Sequence, residues 1–476
     1  DIYDRVMATS LLTEGGRQGA RVVGATGVNI RTGEFYIFKA KSTILTAGSP
    51  SGMWVFSTEM VGAAHNYGDP NNAGDGCVMA WNAGAECTLM ERSGPAMMGP
   101  FAYPRYGIGN AGNTWYACTM VDSNGKEIPW VDRDGNVLKT VSERYRPAPG
   151  QRMVLSGPPN LPYEVRGARL TPELPDLIRK GEVVLPLYAD LPGMPEHERR
   201  AIFGLMVGHE GKTRIAIYEN YTNAGFDPDK DMLMAHGGFG TGLTKMIAPQ
   251  WRETAFGGGG AVTIDWDLRT SLEGLYAAGT QTAFGGDHAQ AATTGRYSAR
   301  KAFEFAQTAG KPDIARSQVE REKERVYAPV NRKGDMGWKE LQAGICRIMQ
   351  DYCGEFKSEK TLEIGLKWLE SIRVSEAERT VARNPHELMR TLDCLVRIGV
   401  GEMIMHASLA RKASSDLLDF KRIDYPDVDP PDWNKYVTTR LEDGEIKVGE
   451  LPLDYWLQPP YAPTYAENYE KHCALE

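Results

Sequence analysis

The residues best placed to do chemistry lie between 271 and 299. Ser271-Leu-Glu-Gly-Leu-Tyr-Ala-Ala-Gly279 has the composition of a buried strand ending in glycine. It is followed by Gly285-Gly-Asp-His288 and by a helical pattern over about 294–308. Such a strand delivers its loop to the carboxyl edge of a sheet, and the next helix points its partially positive N-terminus into the crevice there. That arrangement suits an electron-rich ring or an anion, and the same residues also fit an ordinary strand–loop–helix connection. His288, beside Asp287, is a loop imidazole able to donate a hydrogen bond or move a proton near neutral pH, or simply to bond backbone. The remaining histidines (65, 197, 209, 236, 386, 406 and 472) lack metal-site spacing, and Gly-x-Ser-x-Gly does not occur, so neither a metal centre nor a nucleophile-elbow hydrolase is expected.

The elements that must position this crevice begin at the N-terminus. Ala20–Ile30, a Thr32-Gly33 turn and Glu34–Ala40 read as a β-meander, and Lys41-Ser-Thr-Ile-Leu-Thr-Ala-Gly48 as a second buried strand ending in glycine. Residues 55–66 and 75–87 have helical composition. From 96 to 254 the texture changes, with dense Pro, Gly and aromatic residues and two turn pairs, Asn124-Gly125 and Asp134-Gly135, which predict hairpins inside an inserted α+β domain. Gly257–Gly260 and a strand near 261–265 return the chain to the first layer, so 1–95 and 255–310 form one α/β domain in two parts. Residues 311–423 are predicted helical. Trp338, Leu341, Ile345, Ile348, Met349 and Tyr352 share one face, Leu362, Leu366, Leu369 and Ile372 another, and Asn384-Pro385-His386-Glu387 opens a third helix running to about 412. Prolines 426, 430, 431, 452, 459, 460 and 463 make 424–476 an extended tail wrapping a surface or partner.

The chain has 476 residues, 42% of them hydrophobic and 24% charged, which is enough apolar material for two to four structural units and excludes wholesale disorder. With 54 basic against 62 acidic residues its net charge is −8, so no diffuse positive field draws nucleic acid or an anionic membrane. No stretch approaches the roughly 20 consecutive apolar residues of a bilayer span. The seven cysteines (77, 87, 118, 346, 353, 394 and 473) contain no Cys-x-x-Cys pair, which argues against zinc or iron–sulfur ligation by this chain and for a reducing, cytoplasmic setting. The opening Asp1-Ile-Tyr-Asp reads as the middle of a longer protein.

Four segments, taken in order, carry a resemblance. Arg31–Lys41 with Thr46-Ala-Gly48, Asn72-Ala-Gly-Asp-Gly76 with Ala83-Gly-Ala-Glu86, Glu273–Gly279, and Ser408-Leu-Ala-Arg-Lys412 with Asp424-Tyr-Pro426 and Trp433 are similar to the flavoprotein subunits of the succinate dehydrogenase/fumarate reductase family. L-aspartate oxidase and the adenylylsulfate reductase alpha subunit belong to the same family. The resemblance runs from residue 1 to about 440 and implies an α/β FAD-binding domain, incomplete and interrupted by an inserted α+β capping domain, with a C-terminal helical domain. It implies FAD as cofactor, held at Thr46, Gly48, Asp75, Gly279 and Thr280, the last standing where the family places an acidic contact. Tyr297 and Ser298 match the helix start whose backbone amides meet the flavin, and His288 matches a position beside it. The family carries its dinucleotide-binding glycine fingerprint upstream of the segment matched here, so a preceding segment or a second chain is expected to complete the FAD site. Gly238-Phe-Gly-Thr-Gly242 has no βαβ context and reads as a capping-domain loop.

The implied activity is hydride transfer between flavin and a substrate under the capping domain, with Arg199, Arg200 or Arg214 as the proton donor by rough location. Fumarate is disfavoured. Where the family has histidine after its Met-Glu segment this chain runs Met90-Glu-Arg-Ser; a second histidine aligns near Ala255 and an arginine near Ala292. Each lost charge-assisted contact weakens dicarboxylate binding by roughly 1.5–3 kcal/mol. Met97, Met98, Phe101, Tyr103, Tyr106, Trp115 and Tyr116 point instead to an aromatic or uncharged substrate, or to a mini-core of the capping domain. The alternatives are an adenylylsulfate-reductase-alpha-like subunit with an iron–sulfur electron-transfer partner, and a flavin-free scaffold subunit.

Overall fold

β-Branched and apolar residues set in alternation with small ones make the first three strands, Val6–Thr13 (β1), Val22–Asn29 (β2) and Phe35–Lys39 (β3), which pair antiparallel in that order in the computed structural model. The β2–β3 turn is closed by Asn29, whose side-chain oxygen accepts from the Arg31 and Thr32 amides at 2.9 and 3.1 Å, and by Gly33 at φ +75°. The structure describes residues 1–50, 53–54, 71–92, 94–95, 118–132, 134–145, 169–184, 187–199, 225, 227, 229–234, 255–256, 260–282, 288–354, 356–418 and 420–473. Their contacts divide the chain into two units, one of Asp1–Ser57, Gly68–Gly94 and Thr254–Glu476, the other of Thr58–Tyr67 and Pro95–Glu253.

In the first unit, Thr43–Leu45 (β4) pairs parallel with Leu275–Ala277, Thr43 opposite Leu275 and Leu45 opposite Ala277. Between them in sequence come the helix Asp75–Asn82 (α1) and the short strands Cys87–Thr88 (β5) and Ala261–Val262 (β6), so Leu275–Ala277 is β7. All three β7 residues are buried, as a parallel strand covered on both faces requires. α1 stops at Asn82, short of the predicted 87, because Gly84 takes φ +97° and the chain turns directly into β5.

The helical part follows as His288–Thr308 (α2), Arg316–Asn331 (α3), Trp338–Tyr352 (α4), Glu359–Val374 (α5) and Pro385–Ala410 (α6). The apolar stripes of α4 and α5 are buried as the spacing predicts, and α6 begins at the expected cap, where Asn384 accepts from the Glu387 amide at 2.9 Å. α6 is buried on every side, and Gly365 and Gly401 let it approach its neighbours: a Cβ on Gly401 would lie 3.0 Å from Leu369 and one on Gly365 2.7 Å from Met405. Among the described residues no helix is long and apolar enough to cross a membrane.

The tail is not the extended strap that its prolines predict. Lys435–Glu442 (β8) and Glu445–Pro452 (β9) form a hairpin about Asp443-Gly444, both at positive φ, and extend the sheet in the order β6-β5-β8-β9. A final helix, Tyr465–His472 (α7), is capped by Thr464, which accepts from the Glu467 amide. The prolines punctuate these elements rather than replace them. In the second unit, Met120–Val121 pairs with Glu127–Ile128 and Trp130–Val131 with Val137–Leu138 across the predicted turns, with Gly125 and Gly135 at φ +78° and +83°.

One buried ion pair ties the sheet to the end of α6. Arg411 meets Glu91 at 2.8 Å, with 3% and 0% of the two side chains exposed, and gives its remaining N–H groups to the carbonyls of Trp433 and Lys435. Burial pushes the Glu91 carboxyl up and the guanidinium opposes the shift. Arg411→Met is expected to destabilise the fold by about 3–5 kcal/mol, because it strands a buried carboxylate, while the double variant Glu91→Met/Arg411→Met costs less. Urea-denaturation midpoints of both proteins check this.

Candidate functional site

The crevice forms where β4 and β7 end together. The Ala278 amide donates to the Leu45 carbonyl at 3.0 Å, after which Gly48 (φ +76°) and Gly279 (φ +64°) turn their chains. A Cβ on Gly48 would lie 3.3 Å from the Asn72 side-chain nitrogen and 3.5 Å from Thr280 Oγ1, so the two loops approach closely main chain first. Ser49 Oγ donates to the Thr280 carbonyl at 2.9 Å and seals them. The Gly279 amide donates to Thr294 Oγ1 at 2.9 Å, which anchors α2 to the glycine turn. Thr46, Thr280 and the first six residues of α2, His288–Thr293, are exposed.

α1 closes the site from behind. Gly76 has no room for a side chain, since a Cβ would fall 1.9 Å from Gln281 Oε1 and 3.1 Å from the Ala47 Cβ. Gln281 Nε2 in turn donates to Cys77 Sγ at 3.2 Å. Asp75, one residue earlier, is turned toward α6. Burial, then the nearby Asp393 carboxylate, raises its carboxyl from 3.8 to about 7, with Arg397 opposing, and its Oδ1 is buried without a hydrogen-bond partner. Burial likewise pushes up the thiols of Cys77, Cys87, Cys118, Cys346, Cys353 and Cys394, whereas Cys473 is half-buried.

Two expected contacts are displaced. The sequence pattern predicts this helix from about 294 and the resemblance sets Tyr297 and Ser298 at its start, but α2 already includes His288, because Ala289, Ala291 and Ala292 are strong helix formers that extend it toward its N-terminus. Tyr297 and Ser298 therefore lie nine and ten residues beyond His288, inside α2 rather than at its head. Ser298 is buried, its hydroxyl donating to the Gly295 carbonyl at 3.1 Å. Tyr297 leaves the crevice: its hydroxyl donates to the His472 carbonyl in α7, lies 3.4 Å from Asp267 and accepts from the Cys473 thiol at 3.6 Å. Burial, then the Cys473 contact, raises its phenol. His472 completes the latch, with Nδ1 3.1 Å from Asp267 and its ring stacked on Trp266. The sequence signal for α7 was Thr464 three residues before Glu467.

His288 stands exposed at the first position of α2. Arg199 belongs to the second unit, where it pairs with Asp229 at 2.8 Å and donates to the Met194 carbonyl at 3.3 Å. Arg200, Arg214, Asp287, the 96–117 aromatic run and Gly238–Gly242 lie outside the described residues, as does Gly107-Ile-Gly-Asn-Ala-Gly112, which also spells a glycine fingerprint.

The described residues fit a flavin. The rim is main chain at positive φ, Thr46 and Thr280 beside it are exposed, and the first described turns of α2 pack against the Gly279 turn. Asp75 generates a test of the electrostatics. Between pH 3.8 and about 7 the folded chain binds more protons at this carboxyl than the unfolded chain, so its burial costs stability progressively as pH rises. Asp75→Asn is expected to match the parent at pH 4 and to exceed it by a few kcal/mol at pH 8, as read from denaturation midpoints at the two pH values.

Comparison with known proteins places this geometry. A family model described as FAD binding domain matches residues 1–293, and one described as fumarate reductase flavoprotein C-term matches residues 342–465. One subunit of the fumarate reductase (CoM/CoB) of Methanothermobacter marburgensis is 40% identical over 96 residues, covering 19% of this chain and 14% of that protein, so the chain matches only a small part of that relative's length. Among solved structures, adenylylsulfate reductase from Archaeoglobus fulgidus superposes with a TM-score of 0.69 at 20% identity, covering 95% of this chain and 72% of that one. Quinol fumarate reductase FrdA of E. coli gives 0.63 at 18% identity, covering 96% and 72%. The chain belongs to the succinate dehydrogenase/fumarate reductase family of FAD-binding flavoproteins.

Proposed function

We propose that this chain carries the flavin of an FAD-dependent oxidoreductase built on the fumarate reductase plan. The observation that carries the reading is the rim of Gly48 and Gly279, both at positive φ, set against the exposed start of α2. Thr46, Gly48, Gly279, Thr280 and the first amides of α2 hold the cofactor, with Asp75 behind them. FAD supplies two-electron redox chemistry when bound. The chain supplies the rest. The amides at the start of α2 favour negative charge placed in the crevice, Thr280 contributes a neutral hydroxyl, and His288 is the exposed group able to exchange a proton at its edge. Arg200 and Arg214 are the proton donors we favour on the capping side, since Arg199 is committed to Asp229.

The substrate in this reading is a small uncharged or aromatic molecule, because Ala255 and Ala292 stand where a histidine and an arginine of the family's dicarboxylate site are expected and no histidine follows Met90-Glu91. The second reading is an adenylylsulfate-reductase-alpha-like subunit. In either case an iron–sulfur subunit is the electron-transfer partner, and the seven free thiols suit the cytoplasm. The protein expressed from its whole gene and supplied with FAD is expected to retain a visible flavin band after desalting; a colourless protein overturns the assignment. Reoxidation of the reduced protein is expected to be slow with fumarate. Fast succinate formation removes the uncharged-substrate reading, and sulfite release from adenylylsulfate selects the second.

A further inference from the structure

The turn that follows β7 is tied down on several sides. Thr282 Oγ1 donates to the Gly279 carbonyl at 2.9 Å, the buried Gln281 donates to Cys77 of α1, and Ser49 donates to the Thr280 carbonyl. The Gly279 amide goes the other way, to Thr294 Oγ1 of α2 at 2.9 Å. That same hydroxyl donates to the Gln290 carbonyl, one helical turn earlier, at 2.7 Å. Its proton is thus committed to the helix, and what it offers the glycine turn is a lone pair of fixed direction. Gly279 is buried, so its N–H depends on that acceptor.

Further along, α2 is fastened by other residues. Ser42 and Lys41 reach the carbonyls of Ala302 and Ala306, and Tyr297 turns away to His472 and Asp267. Upstream of Thr294, residues 288–293 are all exposed, so burial does little to fix them. They lie close to the turn itself: a Cβ on Gly279 would stand 3.6 Å from the Ala291 Cβ. One hydroxyl therefore sits where the fastened part of the helix gives way to the part beside the crevice.

We propose that Thr294 is a positioning residue for the flavin, its hydroxyl setting the distance between the Gly279 turn and the first described turns of α2. The inference rests on the flavin reading of the crevice, in which these two segments hold the cofactor. Valine, serine and threonine differ little in helix propensity, so the two variants that separate shape from hydrogen bonding leave the helix itself intact. Thr294→Val keeps the branched side chain and loses the hydroxyl. Thr294→Ser keeps the hydroxyl and loses the methyl group.

The protein expressed from its whole gene is measured in two ways. Without FAD, amide hydrogen exchange read by mass spectrometry is expected to quicken about tenfold in Thr294→Val over residues 277–282 and 288–294, and to stay within about twofold of the parent in Thr294→Ser. Titrated by its fluorescence, FAD is expected to bind Thr294→Val about tenfold more weakly and Thr294→Ser within about twofold of the parent, with urea midpoints little changed. A parent that binds no FAD overturns the flavin reading and this proposal with it. A parent that binds FAD while Thr294→Val binds it equally well overturns this proposal alone. So does serine falling as far as valine, which makes the methyl group rather than the hydroxyl responsible, or exchange in the two segments that ignores the loss of the hydroxyl.

Discussion

Three residues of β4 against three of β7 hold the site together. Parallel strands cannot be joined by a tight turn, so Thr43–Leu45 meets Leu275–Ala277 only after the chain has travelled through the second unit and back. Six residues of ladder cannot carry that closure alone. The pair is backed by α2, through Ser42 donating to the Ala302 carbonyl at 3.0 Å and Lys41 to the Ala306 carbonyl at 2.9 Å. It is backed from the other side by α1, pinned through Gly76 and Gln281. The crevice exists because both strands end at glycine at the same level, and the pairing register is what sets that level.

Buried charge performs a second kind of joining. Arg411 and Glu91, and Arg422 with Asp424 and the carbonyls of Ser408 and Arg411, lock the end of α6 to the sheet with nearly every donor used. Such groups contribute little over well-packed hydrophobes but punish every other arrangement, so they specify where the helical segment sits. Asp75 and Asp393 differ: their carboxyls are held up by desolvation despite Arg397, which leaves charge near α1 sensitive to pH in the neutral range.

What was legible in the sequence was local. The glycine-terminated strands, the Asn384 cap, the α4 and α5 stripes and the Asn-Gly and Asp-Gly hairpins each follow from a few neighbouring residues, and each stands where its chemistry placed it. The misses share the opposite character. Proline content suggested an extended tail, yet the β8–β9 hairpin is stabilised by β5, some 350 residues earlier in the chain, which no local pattern announces. Tyr297 looked like a cofactor neighbour from its place after the glycine loop. Its side chain instead follows a helical phase fixed by a start nine residues upstream, and α7 claims it. The site's main-chain frame was readable because glycine writes backbone conformation into sequence, and its side-chain partners were not, because partnership is settled by packing.

The uneven burial of the cysteines has a practical side. Six thiols are sealed in the interior with their ionisation suppressed, and Cys473 alone is partly open to solvent, in contact with the Tyr297 hydroxyl at the foot of α7. The native protein thus comes with a ready attachment point for a single maleimide dye or spin label, and the environment that label senses is the seating of the last helix on the one whose head frames the crevice.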